Sequence, residues 1–184
     1  MRPGLAWTKL INFALFQAGW FACVLGAASG RVWLGTTLGL ALVFTHLALV
    51  PNRGQETRLL AFALVIGIVV DSFHALTGAL VFFRGSILAG LAPPWLLVLW
   101  MQLASTLRFS LSWLGGRYVL ACVLGALSGA GAYAAGVRLG AAGLGPDTAL
   151  ALVQIGAGWG LALPLLLFVA QKNDDQGGCY RSFS

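Results

Sequence analysis

Charge is scarce in this sequence: 9% of its 184 residues are Asp, Glu, Lys or Arg, where soluble domains carry about a quarter. With 59% of residues hydrophobic and a mean hydropathy of +0.89, a soluble fold would need a larger core than this length can enclose. That leaves an integral membrane protein. Histidine is scarcer still, with two residues, which excludes the many-ligand sites of membrane di-iron oxygenases. His46 and His74 differ by about 15 Å in expected depth, too far to share a haem. Cys23, Cys122 and Cys179 show no metal-ligand spacing and imply no disulfide framework. A Ser-His-Asp constellation and a glycine-rich phosphate loop are both missing. Neither a metal nor a cofactor is therefore expected, and the chain does not read as an enzyme. The net charge of +6 comes from 11 basic against 5 acidic residues. These cations stand singly between apolar runs with no cluster or stripe, which argues for lipid contact and against nucleic acid.

What the chain has in quantity is long apolar runs. Six are legible: Leu10–Ser29, Val32–Val50, Leu59–Phe83, Trp95–Trp113, Tyr118–Val137 and Thr148–Ala170. At about 1.5 Å per residue each is long enough to cross a layer about 30 Å thick. The prediction is an all-α, six-helix transmembrane bundle over residues 1–170, followed by a disordered cytoplasmic tail over 171–184. The basic start and first run also describe a cleavable signal peptide. The length of that run, and its interruption by Asn12 and Gln17, favour a retained helix. Pro51-Asn52 and Gly145-Pro146-Asp147 mark turns, and Asp147 or Thr148 can cap the last helix.

The fifth run is built of small residues, Ala121, Gly125, Gly129, Ala132 and Gly136, which predicts a helix at the bundle centre. Gly35/Gly39, Gly125/Gly129 and Gly156/Gly160 permit close helix approach. Trp7, Trp33, Trp95 and Trp113 fall near run ends, as interfacial anchors do. With the N-terminus inside, seven basic residues (Arg2, Lys9, Arg53, Arg58, Arg117, Lys172, Arg181) lie inside and three (Arg31, Arg84, Arg138) outside. The expectation is a multi-pass membrane protein with both termini cytoplasmic.

Asp71, in the third run, is the only carboxylate within a long apolar run. Such a group costs roughly 2.5–3.5 kcal/mol at mid-membrane and needs compensation. Gln102, Ser105 and Arg108 share one face of the fourth run at spacings of three. His46, Asn12 and Gln17 fall in the same inner half. Together, Asp71, Arg108, Gln102, Ser105, His46, Asn12 and Gln17 predict a polar intramembrane cluster open towards the cytoplasm, Asp71 at its floor and Arg108 at its mouth. The simpler reading is that Arg108 snorkels to headgroups while Asp71 hydrogen-bonds a neighbouring helix.

The string Asn12-Phe13-x-x-Phe16-Gln17-x-Gly19-Trp20-Phe21-x-Cys23-Val24-Leu25-Gly26 resembles the opening of a family of small bacterial inner-membrane proteins, a DUF2878-like domain of unknown function. The likeness continues through His46, Asp71-Ser72, Trp95 and Thr106-Leu107-x-x-Ser110-Leu111-x-Trp113. Such proteins are often encoded beside enzymes that modify membrane fatty acids, including cyclopropane-type methyltransferases. The resemblance thus implies an accessory role in lipid metabolism, with membrane lipid and a lipid-modifying enzyme as partners. It also sets Arg108-Phe109 apart, because the family pattern carries Asn-His there. The alternative function is a small transporter in which Asp71 couples a proton or cation.

Overall fold

The structure is a computed structural model that describes residues 5–179, with side chains described from 8 to 172. Six helices follow one another: α1 (Leu5–Ala28), α2 (Val32–Leu49), α3 (Arg53–Leu76), α4 (Pro94–Leu107), α5 (Tyr118–Arg138) and α6 (Thr148–Cys179). Five are long and apolar enough to cross a membrane; α4 is shorter. Two-residue strands β1 (Leu80–Val81) and β2 (Gly143–Leu144) pair antiparallel beyond α3 and α5. The class is all-α, and this is a multi-pass membrane protein. Its outward faces are strongly apolar, with Val119 82%, Leu161 75% and Leu127 69% exposed. Such surface suits a hydrocarbon solvent.

Two runs end differently from expectation. Helix α3 begins at Arg53 and stops at Leu76, earlier at both ends than Leu59–Phe83. Its polar start Arg53-Gly54-Gln55-Glu56 joins the helix because Asn52 and Glu56 close its first turn by a backbone bond of 3.2 Å. Its end follows from Gly78, whose φ of 74° turns the chain left-handed. The fourth run breaks at Leu107, because the amides of Phe109 and Leu111 both fold back onto the Thr106 carbonyl at 3.1 and 2.8 Å. A single 3-10 turn, Ser112–Leu114, then carries the chain to α5. Helix α6 continues to Cys179, into the segment expected as a tail; residues 180–184 lie outside the described residues.

The centre is α4, packed against α1, α2, α3 and α6, while α5 packs chiefly on α6. This overturns the expectation that the small-residue helix is central. Those small residues serve one neighbour: a Cβ at Gly125 would reach the Trp159 carbonyl oxygen at 2.5 Å, and one at Gly129 would overlap the Trp159 side chain. Gly35 likewise lets α2 meet α1, where its own Cβ would lie 3.1 Å from the Gly26 Cα. Trp33 and Trp113 are exposed, but Trp95 is 3% exposed and lies in the core, so it is no interfacial anchor. The Trp7 side chain, Arg2 and Arg181 lie outside the described residues.

Candidate functional site

One face of α3 is buried along its length: Glu56, Leu60, Ala63, Gly67, Asp71 and His74, at spacings of three and four. It carries a polar group near each end. Asp71 is fully buried. Its Oδ2 accepts the Trp100 indole N–H at 2.6 Å, and its Oδ1 accepts the Tyr133 hydroxyl at 2.5 Å. The carboxyl group is thus compensated by two neutral donors, from α4 and α5.

Glycines make room for those donors. A Cβ at Gly67 would lie 2.5 Å from the Trp100 ring. Trp100 in turn stacks on Trp159, centroids 4.3 Å apart and planes 17° from parallel, with Trp159 seated in the notch at Gly129. One helical turn beyond Asp71, the Nδ1 of His74 accepts from Gln154 Nε2 at 3.0 Å. The same amide group donates to Thr77 at 2.6 Å.

At the other end of α3, Glu56 is 1% exposed. Its Oε1 meets His46 Nε2 at 2.8 Å and its Oε2 meets Arg108 Nη1 at 3.5 Å. Arg108 also donates to Gln55 Oε1 at 2.8 Å. Val50, Pro51, Asn52, Glu56, Arg108 and Phe109 enclose a small pocket of about 210 Å³ there. Glu56 and Asp71 stand fifteen residues apart on one helix, about 22 Å. Arg108 therefore serves Glu56, and Asp71 is met by Trp100 and Tyr133.

The seven residues expected to form one cluster thus occupy separate neighbourhoods. His46 and Arg108 gather on Glu56, and Asp71 stands at the opposite end of α3. Gln102 and Ser105 lie between: Gln102 Nε2 donates to the Gly39 carbonyl at 3.0 Å, and Ser105 Oγ to the Gln102 carbonyl at 2.7 Å. Asn12 bridges α1 to the segment after α4, donating to the Ser105 carbonyl at 3.0 Å and accepting from Ser110 Oγ at 2.8 Å. Gln17 is half-buried on α1, apart from both ends of α3. Among the described residues, no three His, Cys, Asp or Glu side chains come together as a metal site would need.

A larger concavity lies elsewhere, between α1 and α5 with α4 as its floor. It measures about 340 Å³, at the small end of ligand pockets. Phe13, Phe16, Trp20 and Val24 line it from α1; Trp95, Leu99, Trp100 and Leu103 from α4; Leu124, Ser128, Ala132, Tyr133 and Gly136 from α5. Each helix contributes over about 17 Å, taking 1.5 Å per residue, so the space is a long thin groove. Trp95, Trp100 and Tyr133 at its back are buried, while Phe13, Trp113, Ser128 and Ala132 at its rim are exposed. It therefore opens sideways, between helices. Phe82, Ala141 and Ala142 close the ribbon end, and Leu111 and Leu114 the other.

Glu56, Trp100, Tyr133 and Trp159 were not foreseen. The signal for Glu56 was its place in the three-and-four spacing of Leu60, Ala63, Gly67 and Asp71. Tyr133 could be noticed as the one large polar side chain inside a helix of small residues. Neither the curated proteins nor the solved structures contain a match to this chain. The description "protein of unknown function (DUF2878)" matches residues 9–165, so the chain belongs to the DUF2878 family.

Proposed function

We propose that this protein holds a lipid chain in the groove between α1 and α5, and acts as a non-enzymatic accessory factor in membrane lipid metabolism. The observation that carries this reading is the shape and lining of the groove. It is long, thin, walled by aromatic and aliphatic side chains, and open sideways through a rim of exposed residues. An extended chain advances about 1.2 Å per bond, so a groove of about 17 Å matches roughly 14 bonds. A headgroup has little to meet there, so the site suits an apolar tail. The family resemblance to proteins encoded beside fatty-acid-modifying enzymes supports the lipid setting. The seven-to-three basic bias supports an inner-membrane placement with both termini cytoplasmic.

Native mass spectrometry of the purified protein tests this. Wild type should carry single-chain or phospholipid adducts, and Ala132→Phe, which puts a ring into the groove from an exposed rim position, should lose them while keeping its thermal midpoint. Adducts retained at equal occupancy would refute the groove as the site. The transporter reading draws on the deep burial of Asp71. Proton- or cation-dependent uptake into proteoliposomes, abolished in Asp71→Asn, would favour it.

A further inference from the structure

From the make-up of the groove wall, we infer that the preferred occupant is a lipid chain carrying several conjugated double bonds. The inference rests on the groove being a lipid-chain site and specifies which chain. Nine of the 25 residues that line the groove are aromatic, whereas aromatic residues make up 11% of the sequence. Five of the seven tryptophans are among them. Tryptophan in membrane proteins gathers at the two interfaces, yet Trp20, Trp100 and Trp159 stand near the middle of the apolar lengths of α1, α4 and α6. The rings of the wall also pack on one another. Trp100 stacks on Trp159, Phe82 meets Trp95 edge-on with centroids 6.4 Å apart, and Phe13 meets Phe16 at 6.2 Å. These pairs are spread along the groove, so aromatic surface accompanies an occupant over its whole length.

Burial alone cannot select an occupant here. A saturated chain gains nothing by leaving the bilayer for an apolar groove, because lipid tails are as apolar as an aliphatic wall. Selective occupancy needs a contact that the surrounding tails do not offer, and aromatic rings supply one. An aromatic pair gains a factor of about 2–12 in binding beyond the area it buries. A conjugated chain presents the wall with the same kind of polarisable π surface, and a saturated chain does not.

The shape of the groove agrees. About 340 Å³ spread over about 17 Å leaves a cross-section of about 20 Å². Carbons in contact stand about 3.5–4.0 Å apart, so one chain fills that section and a fused-ring lipid is too wide. To lie extended in it, a saturated chain must freeze the free torsions of roughly 14 bonds. A conjugated segment is already planar and stiff, so it loses less freedom on entering. The same chemistry is available from a free polyene acid or from a polyene chain esterified in a phospholipid.

The test titrates the full-length protein, in nanodiscs of saturated phospholipid, with trans-parinaric acid, a fatty acid containing a conjugated tetraene. Energy transfer from tryptophan to the tetraene reports binding, and Ala132→Phe is the groove-blocked blank. Stearic acid, with the same chain length and carboxyl group but no double bonds, is the competitor. Wild type should show transfer above the blank, and stearic acid should displace the probe only at about tenfold higher mole fraction. Trp20→Leu, which removes one half-buried ring from the α1 wall, should lower that ratio to about threefold. Displacement at equal mole fraction would overturn the conjugation inference and leave the groove reading intact. Transfer no greater than the blank's would also overturn the inference, and an absence of lipid adducts in native mass spectrometry would overturn the groove reading with it. The wild-type comparison decides the matter even if the Trp20 variant fails to fold. A phospholipid with one trans-parinaroyl chain separates the sources. Transfer from it as well as from the free acid assigns an esterified chain, and transfer from the free acid alone a free one; either supports the inference.

Discussion

A carboxyl group sealed into the apolar interior needs donors, and Asp71 finds them in one indole and one phenol. Asp71→Leu would orphan both, so the thermal midpoint in detergent should fall by the equivalent of about 2–5 kcal/mol. Combined with Arg108→Leu, the losses should add within about 0.5 kcal/mol, because Arg108 meets Gln55 and Glu56 in the first turn of α3, about 22 Å along the helix from Asp71. A larger coupling energy would show that they communicate. The glycines give a second test, with opposite signs on one helix. Gly129→Ala would drive a methyl into Trp159 and should destabilise by about 1–3 kcal/mol. Gly131→Ala meets nothing within 4 Å, so higher helix propensity should stabilise it by about 0.5–1 kcal/mol. At this scale the sequence was least informative. Asp71 stood out as a residue needing partners, but Trp100 and Tyr133 are distant in the chain and read as ordinary apolar and small-helix positions. Only three-dimensional packing brings their donors to it.

Among elements, α3 and α4 repay comparison. The six apolar runs predicted the existence and order of all six helices, because membrane-length hydropathy is a strong signal. Boundaries were weaker evidence. A polar first turn belongs to α3 because its backbone bonds close regardless of side-chain polarity, and that turn brings Glu56 into the interior beside His46 and Arg108. Reading it as loop hid the carboxylate and displaced the inner end of α3 by six residues, about 9 Å. That error put Asp71 too near the inner face and so made one cluster with Arg108 look within reach. Glu56→Leu should therefore behave as a core mutation, lowering stability by about 2–4 kcal/mol because His46 and the part-buried Arg108 lose their acceptor. Arg58→Leu, two residues further along the same helix but at an exposed position, should change the midpoint by less than about 0.5 kcal/mol. Comparable losses for the two would show that the Glu56 cluster contributes no special stability.

At the scale of the whole molecule, the connections sort to two ends. Arg84 donates to the Ala28 carbonyl at 2.8 Å, and the Gly145 amide to the Ala79 carbonyl at 3.1 Å, so the α1–α2, α3–α4 and α5–α6 connections meet at one end. Arg108 with Gln55, and Tyr118 with Gln171 at 2.7 Å, gather the other. Reporter fusions at Gly54 and after Ser184 should score alike, and one at Gly145 opposite. A disagreement between Gly54 and Ser184 would mean that α4 does not cross. The positive-inside rule further predicts the Gly54 side to be cytoplasmic. The sideways opening of the groove has a consequence for how any occupant is counted. A molecule entering between α1 and α5 arrives by diffusion in the plane of the bilayer, so its chemical potential is set by its mole fraction among lipids. Diluting proteoliposomes with buffer should leave occupancy unchanged, while diluting the membrane with extra phospholipid at fixed ligand should empty the groove in proportion.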